Sequence, residues 1–112
     1  MNADLKLVTK DLAREDPAPM DDTLAGYAWV PRMTDKARAN RAGTLGTYVH
    51  PCPVDARCLE LLGIDAKRFG DIAVASTTGH ELLAGLATAG VRSAEDAWFD
   101  PLALEDALQR GE

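Results

Sequence analysis

Aromatic residues are scarce in this chain: Phe, Trp and Tyr occur twice each, 5% of 112 residues, so any core must be built mainly from aliphatic side chains. Cysteine is equally sparse. Cys52 and Cys58 are too few for a disulfide framework, and six positions apart on one helix they could not bond, which points to reduced thiols in a cytoplasmic protein. Nowhere do about 18 apolar residues run together as a membrane helix requires. The opening Met1-Asn2-Ala3-Asp4-Leu5-Lys6 lacks the apolar stretch of an export signal. No glycine-rich phosphate loop, nucleophile elbow or paired-histidine helix occurs either, so no cofactor is expected. What remains is a length suited to one domain and a hydrophobic content of 46%, enough for one core.

Charge is unevenly spread. Residues 1–22 carry three bases against six acids, and residues 50–112 carry five against eleven. Between them, residues 23–49 carry Arg32, Lys36, Arg38 and Arg41 against Asp35 alone. A net charge of −6 without a long basic surface argues against nucleic-acid binding, which rests on neutralising many phosphates. A local positive cluster in an acidic chain suggests one small anion, or else bases that simply pair with the acidic flanks.

Punctuation along the chain predicts an all-α fold of about five or six short helices. Residues 1–21 form an N-terminal arm, since Asp16-Pro17-Ala18-Pro19 cannot continue a helix, and Leu5, Leu7, Val8 and Leu12 could dock it on the body. Its acids are expected to screen Arg32, Arg38 or Arg41. The helical domain then spans 22–112. Asp22 or Thr23 would cap a short helix through Ala28, and Pro31 opens a second one stopped by Gly43. Pro53 and Gly63 bound the clearest helix; Asp65, the capping-box pattern Thr78-Gly79-His80-Glu81 and Asp100-Pro101 start the remaining ones.

Several residues could carry chemistry. Arg32 and Lys36 lie four apart on one helix face, with Asp35 beside both and Arg38 three residues beyond it. Two cations so spaced repel by a few tenths of a kcal/mol (~0.2–0.5) unless an anion lies between them, and Asp35 could be that anion. Cys52 stands at the cap of the Pro53 helix, where unpaired amides and the helix dipole favour a thiolate. Asp55 could instead bond back to the Cys52 amide and repel that charge. His50 is suited to acid/base work and Tyr48 could lend its hydroxyl. His50, Cys52 and Asp55 also offer three metal-ligand types, but two prolines stiffen the loop and no zinc-like spacing follows, so no metal is expected. Cys58, Met20, Met33, Trp29 and Trp98 read as core or pocket lining.

The run Pro31-Arg32-Met33-Thr34-Asp35-Lys36-Ala37-Arg38, followed by Gly43-Thr44-Leu45-Gly46-Thr47-Tyr48, Cys52-Pro53-Val54-Asp55 and Leu61-Leu62-Gly63-Ile64-Asp65, resembles a family of small bacterial proteins catalogued as a domain of unknown function. The resemblance covers roughly residues 22–75. His50 stands where that family usually has an aromatic, and Gly79–Leu86 lacks its tryptophan. The resemblance implies which residues travel together and assigns no activity. Two readings follow. In the preferred one, Arg32, Lys36 and Arg38, with Asp55 beside them, hold an anionic metabolite while Asp35, Tyr48, His50 and Cys52 move protons in cofactor-free isomerisation, elimination or cyclisation. In the other, the charged helix of a non-catalytic module docks an acidic protein partner. A homodimer fits either.

Overall fold

Prolines, glycines and short polar caps mark where the helices begin and end. In the computed structural model, which describes residues 1–111, the helices are α1 (Val30–Ala42), α2 (Pro53–Leu62), α3 (Ala66–Ala75), α4 (Gly79–Thr88) and α5 (Pro101–Gln109). α1 carries Pro31 in its first turn, where a backbone N–H would go unused, and stops at Gly43, whose amide returns to the Ala39 and Asn40 carbonyls. Asp65, Thr78 and Asp100 cap α3, α4 and α5 by accepting first-turn amides. Glu81 does not complete a box on Thr78. Its carboxylate takes the hydroxyl and amide of Thr77, and those bonds hold it below its ordinary range.

The helix expected between residues 22 and 28 is absent. Thr23–Leu24 (β1) instead pairs antiparallel with Tyr27–Ala28 (β2), Leu24 opposite Tyr27. Ala25 and Gly26 both take left-handed backbone, at φ 49° and 83°, the combination a type I′ hairpin turn requires. Leu24 is thereby driven into the core, and Asp22, expected as a cap, accepts the Met1 ammonium at 2.6 Å.

α1 runs through the centre of the molecule, with α3 and β1 against it; α3 also packs on α4, and α2 on α3 and α5. Met33 and Ala37 of α1 meet Val54 and Leu62 of α2, Phe69 of α3 and Leu82 of α4 in one hydrophobic cluster. The architecture is mostly helical and forms one compact domain. No helix among the described residues is long and apolar enough to cross a membrane.

Residues 1–21 lie on this body. Leu12 is buried and Leu7 packs on the core, whereas Leu5 and Val8 are 57% and 66% exposed rather than docked. The arm crosses the start of α4, where Gly79 and His80 amides donate to the Leu5 and Ala3 carbonyls. A Cβ on Gly79 would stand 2.7 Å from the Ala3 Cα, so the close approach depends on glycine. Its charge pairing is the inverse of the one expected. Lys10 of the arm reaches Asp35 of α1 at 2.9 Å, while Arg38 donates to the Ala73 and Ser76 carbonyls and Arg41 pairs with Asp71 on α3. Arg38 thus meets the negative end of the α3 dipole, which suits a cation as well as a carboxylate would.

Candidate functional site

The start of α2 is built around one carboxylate. Cys52 is the N-cap, and Asp55, three residues on, is completely buried. One oxygen, Oδ2, accepts from the Cys52 amide at 3.0 Å, Lys36 Nζ at 2.7 Å and His50 Nδ1 at 2.9 Å. The other, Oδ1, accepts from Trp29 Nε1 at 2.7 Å. Because a carboxylate only accepts, His50 Nδ1 carries its hydrogen here. Burial alone would push the Asp55 carboxyl up, but the bonds from His50, Lys36, the Cys52 amide and Trp29 outweigh it and hold the group far below the usual carboxylate range. Asp55 and Lys36 are therefore a buried ion pair, with side chains 0% and 4% exposed.

The cysteines differ sharply. Cys52 Sγ is half-buried and accepts from Lys36 Nζ at 3.2 Å and the Asp55 amide at 3.4 Å. Cys58, on the inner face of α2, is pushed up to about 12 by burial and by the nearby Asp55 charge. Cys52 opens on a groove of about 420 Å³ between α1, the 47–53 loop and α5, lined also by Trp29, Arg32, Lys36, Tyr48, Glu105 and Leu108. The Arg32 guanidinium stands 5.5 Å from the Trp29 ring and 5.6 Å from the Tyr48 ring, and donates to the Ala18 carbonyl at 3.1 Å. Tyr48 donates its hydroxyl to Asp16 at 2.7 Å; that bond, burial and the Asp16 charge all raise its pKa, so the phenol keeps its proton.

Of the residues singled out from sequence, Arg32, Lys36, Tyr48 and Cys52 share the groove, and Asp55 lies behind Lys36 and Cys52. His50 does not face it; its ring lies across Asp55 from Lys36, toward α3. Asp35 is not the anion between Arg32 and Lys36. One residue before Lys36, it points about 100° around the helix and accepts Lys10 and the Ala18 amide instead. Arg32 and Asp35 thus hold the two ends of the Ala18 residue, its carbonyl and its amide. Arg38 is also away from the groove, committed to α3. Among the described residues no group of three or more His, Cys, Asp or Glu side chains converges as a metal site would require. Two features of the site have no local sequence pattern. Trp29 serves as a donor to Asp55 as well as a core residue, a role signalled only by the rule that a buried indole N–H seeks an acceptor. Glu105 reaches the groove from α5, which no local pattern reveals.

A family model described as Domain of unknown function (DUF5069) matches residues 14–105. The chain belongs to this family. No curated protein matches it. The DUF5069 match extends well past residue 75, where the recognised motifs end, and includes Cys52, Asp55, Lys36 and Glu105. Residues 1–13 of the arm lie outside it. In the native DUF5069 chain, a small alkylating reagent should label Cys52 and spare Cys58 until the protein unfolds, because only Cys52 reaches the groove and is flanked by an ammonium and a helix N-terminus. Peptide mapping after brief labelling reads this directly, and equal labelling of both thiols would show that the inner face of α2 opens.

Proposed function

We propose that the protein binds a small organic carboxylate in the groove between α1, the 47–53 loop and α5, with Arg32 as its anchor. The observation that carries this is the state of the Arg32 side chain. Lys36 and Arg41 have carboxylate partners and Arg38 caps a helix, yet no carboxylate among the described residues lies within ion-pair range of Arg32. Its Nε is buried with no protein partner. One edge of the guanidinium fork is therefore unfilled, and a planar carboxylate is the group that fills such an edge with two parallel bonds. Trp29 and Tyr48 hold the fork in place. Glu105 on the opposite wall favours a monoanion over a dianion.

Lys36 then forms part of the floor rather than half of a clamp, because Asp55 already matches its charge. The Cys52 thiol, beside that ammonium, is the group placed to exchange a proton with the bound molecule, in keeping with isomerisation, elimination or cyclisation without a cofactor. Asp35, His50 and Arg38 do not face the groove and have no part in this reading; Tyr48 acts by positioning. The rival reading, a charged helix docking an acidic partner, asks for a flat exposed face, whereas α1 is buried along most of its length.

Titration of small monocarboxylates followed by amide chemical shifts tests the proposal. Arg32→Ala should weaken binding about 10- to 100-fold, the loss expected for a charge-assisted bond, with little change in melting temperature. Lys36→Ala is no clean test, since it also strips Asp55 of its counter-ion. A groove that binds no carboxylate, or binds it equally well in the Arg32→Ala variant, would defeat the reading.

A further inference from the structure

The Asp55 network has a second outlet, on the side of the molecule away from the groove. The His50 side chain is 3% exposed, its Nδ1 is committed to Asp55, and its Nε2 is buried without any partner. A ring nitrogen left in this state loses hydration without a replacement, so it marks a place where a bonding group is missing. His50 forms one wall of a cleft of about 170 Å³ between α1 and α3, with Asn40, Arg41, Lys67 and Gly70 among the other walls. With Nδ1 committed to Asp55, Nε2 is the one ring nitrogen of His50 left without a partner beside that cleft.

The mouth of the cleft is positive. Arg41 and Lys67 both reach a single carboxylate, Asp71, at 2.9 and 3.0 Å, which leaves one cation in excess. The three side chains are 39%, 83% and 49% exposed, so these pairs are weak and can rearrange around a ligand. Arg41 also donates to the Lys67 carbonyl and lies flat against α3 because Gly70 has no side chain; a Cβ there would stand 2.7 Å from its Nη2.

We propose that this cleft is a binding site for hydrogen phosphate. In the neutral ring, Nε2 is an acceptor, so the ligand must bring both a hydrogen to donate and negative charge for Arg41 and Lys67. A carboxylate or sulfate at neutral pH has the charge and no hydrogen. A phosphate monoester, with a second pKa of about 6, has lost its hydrogen too. Inorganic phosphate keeps a P–OH at neutral pH and so meets both requirements. The site is separate from the carboxylate groove, and Asp55 touches residues of both.

Calorimetric titration at pH 7.5 and low salt with inorganic phosphate, sulfate and glycerol phosphate tests the assignment. Phosphate should bind at least 10-fold more tightly than either of the others. Arg41→Ala and Gly70→Ala, the latter displacing the guanidinium, should each weaken phosphate at least 5-fold, while Arg32→Ala leaves it unchanged and so separates this site from the groove. His50→Gln should erase the preference over sulfate; should that variant fail to fold, the Arg41→Ala result decides. Equal affinity for phosphate and sulfate in the unaltered protein, or phosphate binding indifferent to both Arg41→Ala and Gly70→Ala, would overturn the proposal.

Discussion

Asp55→Ala should cost ~3–5 kcal/mol of folding stability, the penalty for breaking a buried pair by removing one partner. Lys36 would be left as a buried ammonium, and the Trp29 indole, the His50 Nδ1–H and the Cys52 amide would lose their acceptor together. For a domain whose total stability is of order 5–15 kcal/mol, that is a melting temperature lower by more than about 10 °C. Pairing the change with Lys36→Met should recover part of the loss, because the uncompensated charge goes with it. Acid adds an independent check. The folded Asp55 carboxyl sits far below its unfolded value of about 3.9, so its stabilisation is complete above that pH and is lost as pH falls toward the folded value. Asp55→Asn should therefore flatten the acid limb of a urea-unfolding series run from pH 6 to pH 3. A limb equally steep in the variant would assign acid sensitivity to surface carboxylates such as Asp71 and Glu81, both also held below their usual range.

Helix ends were legible because caps act within three or four residues of chain. Asp65, Thr78, Asp100, Pro53 and Gly63 stand where they were expected, and so does Cys52, whose place at the cap follows from Pro53 alone. The hairpin at 23–28 was not legible by periodicity, since two-residue strands have none; its signal was the single glycine at the second position of an Ala25-Gly26 turn. The site was half legible. Helical spacing put Arg32 and Lys36 on one face of α1, and both line the groove; of the two readings open for Cys52, the capping box with Asp55 is the one formed. Spacing could not show that Asp55 also draws in Trp29 and Lys36, 26 and 19 positions away, because those contacts exist only once α1 lies across α2. The same packing turns Asp35 and Arg38, which share the charged run, toward the arm and α3.

Trp29→Ala is expected to cost ~3–5 kcal/mol, and Trp29→Gly about 1 kcal/mol less, the reverse of the usual order of alanine and glycine. Trp29 is 2% exposed and stands just before α1 with φ 70°, left-handed backbone that a bulky residue rarely adopts. Its ring sustains that conformation: it fills the core, gives its N–H to Asp55, and supports the Arg32 guanidinium. Truncation removes all three contacts, and in alanine the Cβ strain stays without them, whereas glycine relieves it. Trp29→Phe separates packing from hydrogen bonding, since it keeps most of the ring and leaves Asp55 Oδ1 without a donor, at about 1–3 kcal/mol. Carboxylate binding should fall in the alanine and glycine variants, because Arg32 there loses one of the rings that hold its fork. Chemical denaturation of the three proteins gives the ranking. If glycine proves as costly as alanine, the backbone before α1 relaxes out of the left-handed region once the indole is gone, and the ring rather than the turn dictates how the chain enters the helix.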